Sequence, residues 1–271
     1  MSWAQAVKKA STVPGLGADT SLRPAAEKLL HARFADLRAA EARALHHCDA
    51  NAVHAFRVAC RRLRAAIKVF GKKRLRALDD RIEHLQDVLG DVRDFQLQVR
   101  WLSRHHAGTS DARKKLRGAQ QRLLKALALW SRRSEPLLLR EAARVHGGGR
   151  LGGSRARKRL RKRLRDLRRE MRKEGQLDPA AAHRIRIAAK KLRYEAELLR
   201  DAFDLDDTVA ALADVQSTLG DLHDADVRLR EVAKDKRLAA AARAERRRGE
   251  VKARAALRRL ARRASSLHDR L

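Results

Sequence analysis

Two segments of the chain carry the same spacing of basic side chains. In the first segment, His54 is followed by Arg57, Arg61, Arg64 and Lys68. Because an α-helix turns about 100° per residue, these five side chains fall within about 80° of one another on one face. Arginine binds two phosphate oxygens at once, lysine supplies a mobile positive charge, and histidine donates one or two hydrogen bonds. A row of these groups about 21 Å long would bind the oxygens of a polyanion.

The second segment begins 129 residues later and repeats this pattern. In both segments apolar residues occupy the opposite side of the predicted helix, so one side packs in a core and the other is cationic. Glu197 stands where the first segment has Lys68, and Tyr194 lies about 20° from His183 on the helix. The cationic residues of the second segment are His183, Arg186, Lys190 and Arg193.

A basic helix face is often only a solvated surface. Such a surface usually mixes charges, with a glutamate four residues before a lysine. Here two pairs, Arg57 with Arg61 and Arg64 with Lys68, place like charges at i and i+4. These pairs cost stability unless an anion neutralises them. Since the arrangement occurs twice, we favour a binding site over a solvated face.

Basic residues also crowd the first predicted helix of each half. Between Arg155 and Lys173, 12 of 19 residues are Lys or Arg, while leucines recur at helical spacing. This pattern indicates an amphipathic helix rather than a disordered basic tail. The candidate contacts on these helices are Lys28, His31 and Arg38 in the first half and Arg157, Lys158, Arg161, Arg165 and Arg168 in the second.

Acidic residues concentrate on the third predicted helix of each half, at helical spacing. We expect these carboxylates to pair with arginines of the neighbouring helix and to orient them. A divalent cation held with His84 or His223 is a second interpretation, although no established metal motif accompanies these residues. The aspartates are Asp87, Asp91 and Asp94 in the first half and Asp221 and Asp224 in the second.

The repeated order of these motifs indicates a tandem duplication. Leu85–Asp94 aligns with Val215–Asp224 at an offset of 130, close to that of the histidine motifs. No stretch alternates like a β-strand, so we predict an all-α fold with four helices in each half. Asp178 followed by Pro179 is typical of a helix start. The predicted helices are 24–46, 50–70, 76–105 and 111–130, then 154–174, 179–203, 206–235 and 237–268. The predicted segments are a loosely ordered extension (1–21), the first half (22–145), a glycine-rich linker (146–153) and the second half (154–271).

The composition restricts the kind of partner. The chain has 271 residues, 65 of them Lys or Arg and 33 Asp or Glu, so its formal net charge is +32. This charge favours a polyanion, and the 44% apolar content excludes a disordered basic tail. Two cysteines, no apolar signal segment and no long apolar run predict a cytoplasmic protein that does not bind membranes. The oligomeric state stays open, and no cofactor is expected.

The paired motifs resemble those of the CHAD family, the conserved histidine α-helical domain, over roughly residues 22 to 268. The resemblance implies two four-helix bundles with pseudo-twofold symmetry and a basic groove or pore between them. It also implies binding of inorganic polyphosphate and association with polyphosphate granules. Arg93 stands at the position that corresponds to His223, so a strictly symmetric role there is in doubt. The residues that match the family's motif are His54, Arg57, Arg61, Arg62, Arg64, His183, Arg186, Lys190, Lys191 and Arg193.

Two other functions are open, and the charge fits the first of them, nucleic-acid binding, equally well. A nucleic-acid protein usually shows a helix-turn-helix, zinc-finger or RNP signature, or stacking aromatics, and none is evident among nine aromatic residues. Weak, sequence-independent nucleic-acid binding is still expected. A metal-dependent phosphohydrolase would need metal carboxylates or a P-loop, and the third-helix aspartates are the only candidates. We therefore expect a binding protein and not an enzyme.

Overall fold

Helices make up most of the chain in the computed structural model, and the predicted all-α fold is confirmed. Ala, Leu and Arg have high helix propensity, and few Gly or Pro residues interrupt them. The structure describes residues 10–47, 49–71, 73–133, 135–142, 148–172 and 177–270. Within these residues the helices are α1 (Leu22–His47), α2 (Ala50–Ala66), α3 (Arg76–Arg104), α4 (Ser110–Arg133), α5 (Glu135–Ala142), α6 (Ser154–Arg172), α7 (Pro179–Leu198), α8 (Arg200–Phe203), α9 (Asp206–Glu231) and α10 (Lys236–Arg270).

The first of two compact units comprises Met1–Gly15 and Ser21–Gly149. Its helix α1 packs on α2, α2 on α3, and α3 on α4, while the short α5 contacts α1 and α4. The core stripe predicted for α2 is confirmed, since the side chains of Phe56, Leu63 and Ile67 are completely buried. Because this stripe faces the core, the cationic stripe on the other side of α2 faces outward.

The second unit comprises Leu16–Thr20 and Arg150–Leu271. In this unit α6 packs on α7, α7 on α9, and α9 on α10, and α10 also contacts α6. Leu160, Leu164 and Leu167 of α6 are each 1% exposed, as the leucine spacing predicts. The strongly basic segment is therefore a packed amphipathic helix.

Two predicted helices are interrupted near their C-terminal ends. The predicted helix 50–70 continues from α2 into a π-helical turn, Ile67–Gly71, so Lys68 does not follow the α-helical spacing that placed it in the cationic row. The predicted helix 179–203 is interrupted at Leu199 and resumes as α8. The start of α7 is confirmed, since the Asp178 side chain accepts a 2.7 Å hydrogen bond from the Ala181 amide.

The glycine-rich segment and part of the N-terminal extension contact each other. The amide of Gly152 donates to the Ala18 carbonyl at 2.8 Å, and the amide of Leu151 donates to the Thr20 carbonyl at 2.8 Å. A Cβ at position 152 would lie 2.7 Å from the Ala18 Cβ, so only glycine permits this approach. Leu16 is 7% exposed and belongs to the same contact region. The prediction of a loosely ordered extension over residues 1–21 did not include this contact.

Candidate anion-binding surfaces

The cationic face of α2 begins one turn after the helix start. His54, Arg57 and Arg61 are all partly exposed. Nη1 of Arg57 lies 3.7 Å from a carboxylate oxygen of Asp94 on α3. Arg61 forms no ion pair with any carboxylate in the described part of the chain, and its buried Nε has no hydrogen-bond partner there. This guanidinium therefore keeps donors that an external anion could use.

The last arginine of the motif on α2, Arg64, is held by the chain itself. Its Nε donates to Asp79 at 2.7 Å, Nη1 donates to Gln86 at 3.1 Å, and Nη2 lies 2.7 Å from Glu83. Burial acts to lower the pKa of Arg64, but the hydrogen bonds that it donates to the two carboxylates outweigh burial and raise the pKa. Lys68 also lies 3.7 Å from Asp79, so these two cations have internal counterions.

The corresponding arginine on α7 has the same partner. Nη1 of Arg193 donates to Gln216 at 2.9 Å, as Arg64 donates to Gln86, and the paired residues lie 129 and 130 positions apart in sequence. Nη2 of Arg193 is 3.7 Å from Glu197, which is the residue that replaces Lys68. In the first unit Gln86 of α3 therefore orients Arg64, the last arginine of the histidine motif. In the second unit Gln216 of α9 orients Arg193 in the same way.

Neither glutamine is among the residues predicted from the sequence to form the site. Gln86 and Gln216 occupy equivalent positions of the repeat, after Leu85 and Val215. This equivalence is visible in the sequence and could have identified them. A buried neighbour of Arg193 is Tyr194, 5% exposed, whose ring centre lies 5.1 Å from the Arg193 guanidinium carbon. Tyr194 thus packs beneath the cationic face instead of extending along it.

The outward part of the α7 face contains an exposed histidine. His183 is exposed, Arg186 and Lys190 are partly exposed, and Lys191 is exposed on the adjacent side of the helix. The His183 ring centre lies 5.9 Å from that of His223 on α9. Burial, Arg186 and His183 all lower the pKa of His223. A bound anion would reverse this effect, since it favours the charged imidazolium.

The first unit has no equivalent of the histidine pair, because Arg93 replaces His223. Arg93 is 6% exposed, and its Nη1 donates a 2.8 Å hydrogen bond to the carbonyl of Ala50, the first residue of α2. Arg62 is also buried, at 7% exposed. The side chains of Arg62 and Arg93 both lie inside the first unit. The two halves therefore differ at the position that Arg93 and His223 share.

The third-helix carboxylates pair with arginines of two different helices. Asp94 lies near Arg57 of α2, whereas Asp91 accepts a 2.9 Å hydrogen bond from Arg122 of α4. Burial raises the pKa of Asp221, an effect that Lys252 partly offsets. Among the described residues, no group of three or more His, Cys, Asp or Glu side chains could hold a metal ion.

Helix α6 has two cationic sides with different surroundings. On one side, Arg159 and Arg163 donate to the buried carboxylate of Glu195 at 2.8 to 2.9 Å. On the other, Lys158 and Arg161 are exposed and form no ion pair with a described carboxylate. A shallow depression of about 390 Å³ follows this second side, and its lining residues are Ser154, Arg157, Lys158, Arg161 and Arg165.

The remaining candidates on the first helix of each unit are partly engaged. Arg38 of α1 bonds to Glu41 at 2.6 Å, while Lys28 is exposed and His31 is partly exposed. Arg157 of α6 donates to the Gly152 carbonyl at 3.3 Å and lies over the ring of Phe203. Arg168 is partly exposed. Of the three α1 candidates, only Lys28 is therefore fully exposed.

Gly90 lies in the middle of α3 and Gly220 in the middle of α9, and each borders the cationic face of its unit. A Cβ added at Gly90 would lie 3.8 Å from Nη2 of Arg57, an ordinary contact distance. A Cβ at Gly220 would meet no atom within 4 Å. On α9, Gly220 lies between Gln216, which bonds to Arg193, and His223, whose ring lies near that of His183. The fold thus leaves space beside the cations in both units, and it does not itself require glycine there.

Comparisons with known proteins agree with this fold. Residues 28–233 match the model of the CHAD domain. Over 93% of its length the chain is similar to the CHAD domain from the plant Ricinus communis, 96% of which is covered, with 26% sequence identity and a TM-score of 0.68. It is also similar to PptA from Streptomyces chartreusis, with 16% identity, a TM-score of 0.55, and coverage of 91% of this chain and 100% of that one. No curated protein matches the chain in sequence. None of the described helices has the length and apolar character needed to cross a membrane.

Proposed function

The chain belongs to the CHAD domain family, whose model matches residues 28–233, and on this premise we propose that it binds inorganic polyphosphate. The observation that supports this most strongly is the same arrangement in both units. Arg64 and Arg193 are each oriented by a glutamine, and further cations of the same helix face outward from them. Arg61 is partly exposed and forms no ion pair with a described carboxylate, so it can donate to a phosphate oxygen.

The residues of the two faces have different roles in this proposal. Arg64 and Arg193 position the neighbouring side chains, because their donors already bond to the chain. The residues proposed to contact phosphate are partly or fully exposed on α2 and α7, and the open side of α6 extends the cationic surface of the second unit. The proposed contacts are His54, Arg57 and Arg61, then His183, Arg186, Lys190 and Lys191, and on α6 Lys158, Arg161 and Arg165.

Polyphosphate fits these surfaces better than a single-stranded nucleic acid does. It carries a charge on every phosphate and has no bases, so stacking side chains are not needed. The chain has a net charge of +32 and only nine aromatic residues, and Tyr194 is buried. Binding should therefore be electrostatic and fall steeply with salt, as in counterion release from DNA.

We also propose binding without turnover, at cytoplasmic polyphosphate granules. The chain lacks a P-loop motif, and the carboxylates nearest to the α2 face pair with arginines, Asp94 with Arg57 and Asp91 with Arg122. These pairs suit carboxylates that orient cations. Phosphate release with added Mg²⁺ or Mn²⁺, lost in Asp91→Asn, would contradict this part of the proposal.

Neutralising the proposed contacts tests the function directly. The variant R57Q/R61Q/R186Q/K190Q removes four cations from the two faces. At about 1 kcal/mol for each lost charged contact, affinity for long-chain polyphosphate should fall at least 100-fold.

The matched control R74Q/K114Q/K115Q/R117Q removes the same charge from exposed positions away from α2 and α7. It should lose less than about fivefold, through the lower net charge alone. Equal losses in the two variants would show that binding depends on net charge and not on the proposed faces.

A further inference from the structure

Helix α10 presents a second cationic surface, which lies beyond the residues that match the CHAD domain. One side of α10 packs in the second unit through small and apolar side chains. Ala242, Ala253 and Leu260 on this side are at most 2% exposed. The opposite side is exposed to solvent, and we refer to it as the outer face of α10. Its arginines are Arg243, Arg247, Arg248, Arg258 and Arg262, all exposed.

The two glutamates of α10 do not neutralise the outer face. Glu245 pairs with Arg228 of α9 at 2.8 Å. Glu250 lies 3.0 Å from Arg246 and 2.9 Å from Arg254, and the hydrogen bond from Arg254 lowers its pKa. The arginines of the outer face form no ion pair with a carboxylate in the described residues. Arg254 lies among the outer-face arginines and pairs with Glu250, so this face holds one ion pair beside five arginines that have no carboxylate partner in the described residues.

The outer-face arginines form two groups along the helix axis. At about 100° per residue, Arg243, Arg247, Arg258 and Arg262 fall within about 100° of one another. The inner members, Arg247 and Arg258, are about 16 Å apart at a rise of 1.5 Å per residue. Val251 and Arg254 lie between the two groups, and Val251 is 68% exposed, the most exposed large apolar side chain of the described residues.

We propose that the outer face of α10 binds duplex DNA without sequence preference, separately from the polyphosphate surfaces. The major groove is about 12 Å wide and admits an α-helix. Two arginine groups about 16 Å apart can contact phosphates on both sides of this groove when the helix lies across it. A straight, rigid row of this kind matches a rigid duplex.

The side chains of this face also explain why binding would lack sequence preference. α10 contains no Asn or Gln, which are the usual partners of adenine, and its arginines are placed to contact phosphates. The phosphates of a duplex are already ordered, whereas a flexible polyphosphate chain loses conformational freedom when it follows a straight row. The duplex is therefore the polyanion that the outer face fits.

A titration of a labelled 20-base-pair duplex, from 50 to 200 mM salt, tests the proposal. In R243A/R247A/R258A/R262A the affinity at 50 mM salt should fall at least 30-fold. The slope of log K against log salt should decrease in magnitude by about 3 to 4, close to one for each lost phosphate contact. Because alanine is a good helix former and these side chains are exposed, the variant should keep its fold and its circular dichroism spectrum.

Two comparisons make the result decisive. The control R74A/K114A/K115A/R117A carries the same charge change on the first unit and should bind DNA within about fivefold of the parent. Long-chain polyphosphate should bind the outer-face variant within about fivefold of the parent as well. Equal loss of DNA affinity in the control, no loss in the variant, or loss of polyphosphate affinity in its place would each overturn the proposal.

Discussion

Replacement of Gly220 by alanine should make the free protein more stable and its complex with polyphosphate weaker. Glycine in a helix interior costs about 1 kcal/mol relative to alanine. A Cβ at Gly220 meets no atom within 4 Å, so the fold pays no steric penalty for it. The same holds for Gly90, where the added Cβ would lie 3.8 Å from Arg57 Nη2. Each substitution should therefore raise Tm by about 2 to 4 °C.

The loss of binding follows from the space that the added methyl group takes. A phosphate oxygen bound to the Arg57 guanidinium lies about 2.8 Å from its nitrogen. A methyl carbon 3.8 Å from that nitrogen excludes oxygen from the side that faces α3. The loss of one hydrogen bond to a charged group, about 1.5 to 3 kcal/mol, weakens binding by roughly 10- to 100-fold. At position 220, where an added Cβ meets no atom within 4 Å, the larger side chain of leucine should weaken binding more than alanine does.

Gly118 of α4 provides the matched control. It also lies inside a helix, and an added Cβ there would be 3.8 Å from Nη1 of Arg122, the same distance as at Gly90. Gly118→Ala should raise Tm by a similar amount and leave polyphosphate affinity unchanged. Thermal unfolding and a titration with labelled polyphosphate measure both quantities. If Gly90→Ala and Gly220→Ala raise Tm and bind as tightly as Gly118→Ala does, the gaps lie outside the path of the ligand and the reasoning fails.

Two further outcomes are expected. Burial, Arg186 and His183 lower the pKa of His223 and so favour its neutral ring, whereas a bound anion should favour the protonated ring. Polyphosphate affinity should therefore rise as pH falls from about 7.5 to about 5.5, and a titration of His223→Gln that shows the same pH dependence would contradict this. Glu195→Gln leaves the guanidinium groups of Arg159 and Arg163 without their counterion and should lower Tm by about 4 to 8 °C, for a cost of about 2 kcal/mol. An unchanged Tm in thermal unfolding would show that solvent screens the pair.

The helices were predictable where a long apolar stripe recurs. Phe56 and Leu63 occur at a spacing that only an α-helix places on one side, and both are completely buried. The π-helical turn Ile67–Gly71 was not predictable, because five residues are too few to separate a period of 3.6 from a longer one. The short helix α5 was missed for a related reason, since packing on α1 and α4 stabilises a helix of eight residues more than its own sequence does.

The cationic row could be predicted from the sequence, but the partners of its members could not. Arg64 reaches Asp79 and Glu83, which lie 15 and 19 residues further along, on α3. This contact depends on how α2 and α3 cross. The spacing of residues within one helix does not predict that crossing. On α6, cations occupy both sides of the helix, and the position of Glu195 on α7 determines that Arg159 and Arg163 point inward.

A competition titration at about 150 mM salt, where exposed charges are already screened over about 8 Å, tests the central claim most directly. Labelled long-chain polyphosphate is bound first and then displaced by unlabelled polyphosphate, orthophosphate or duplex DNA. The proposed function predicts displacement by polyphosphate at concentrations at least 100-fold lower than by orthophosphate. It also predicts little displacement by DNA, which binds on α10. Equal displacement by DNA and polyphosphate would contradict it, because the faces of α2 and α7 would then be a general polyanion surface.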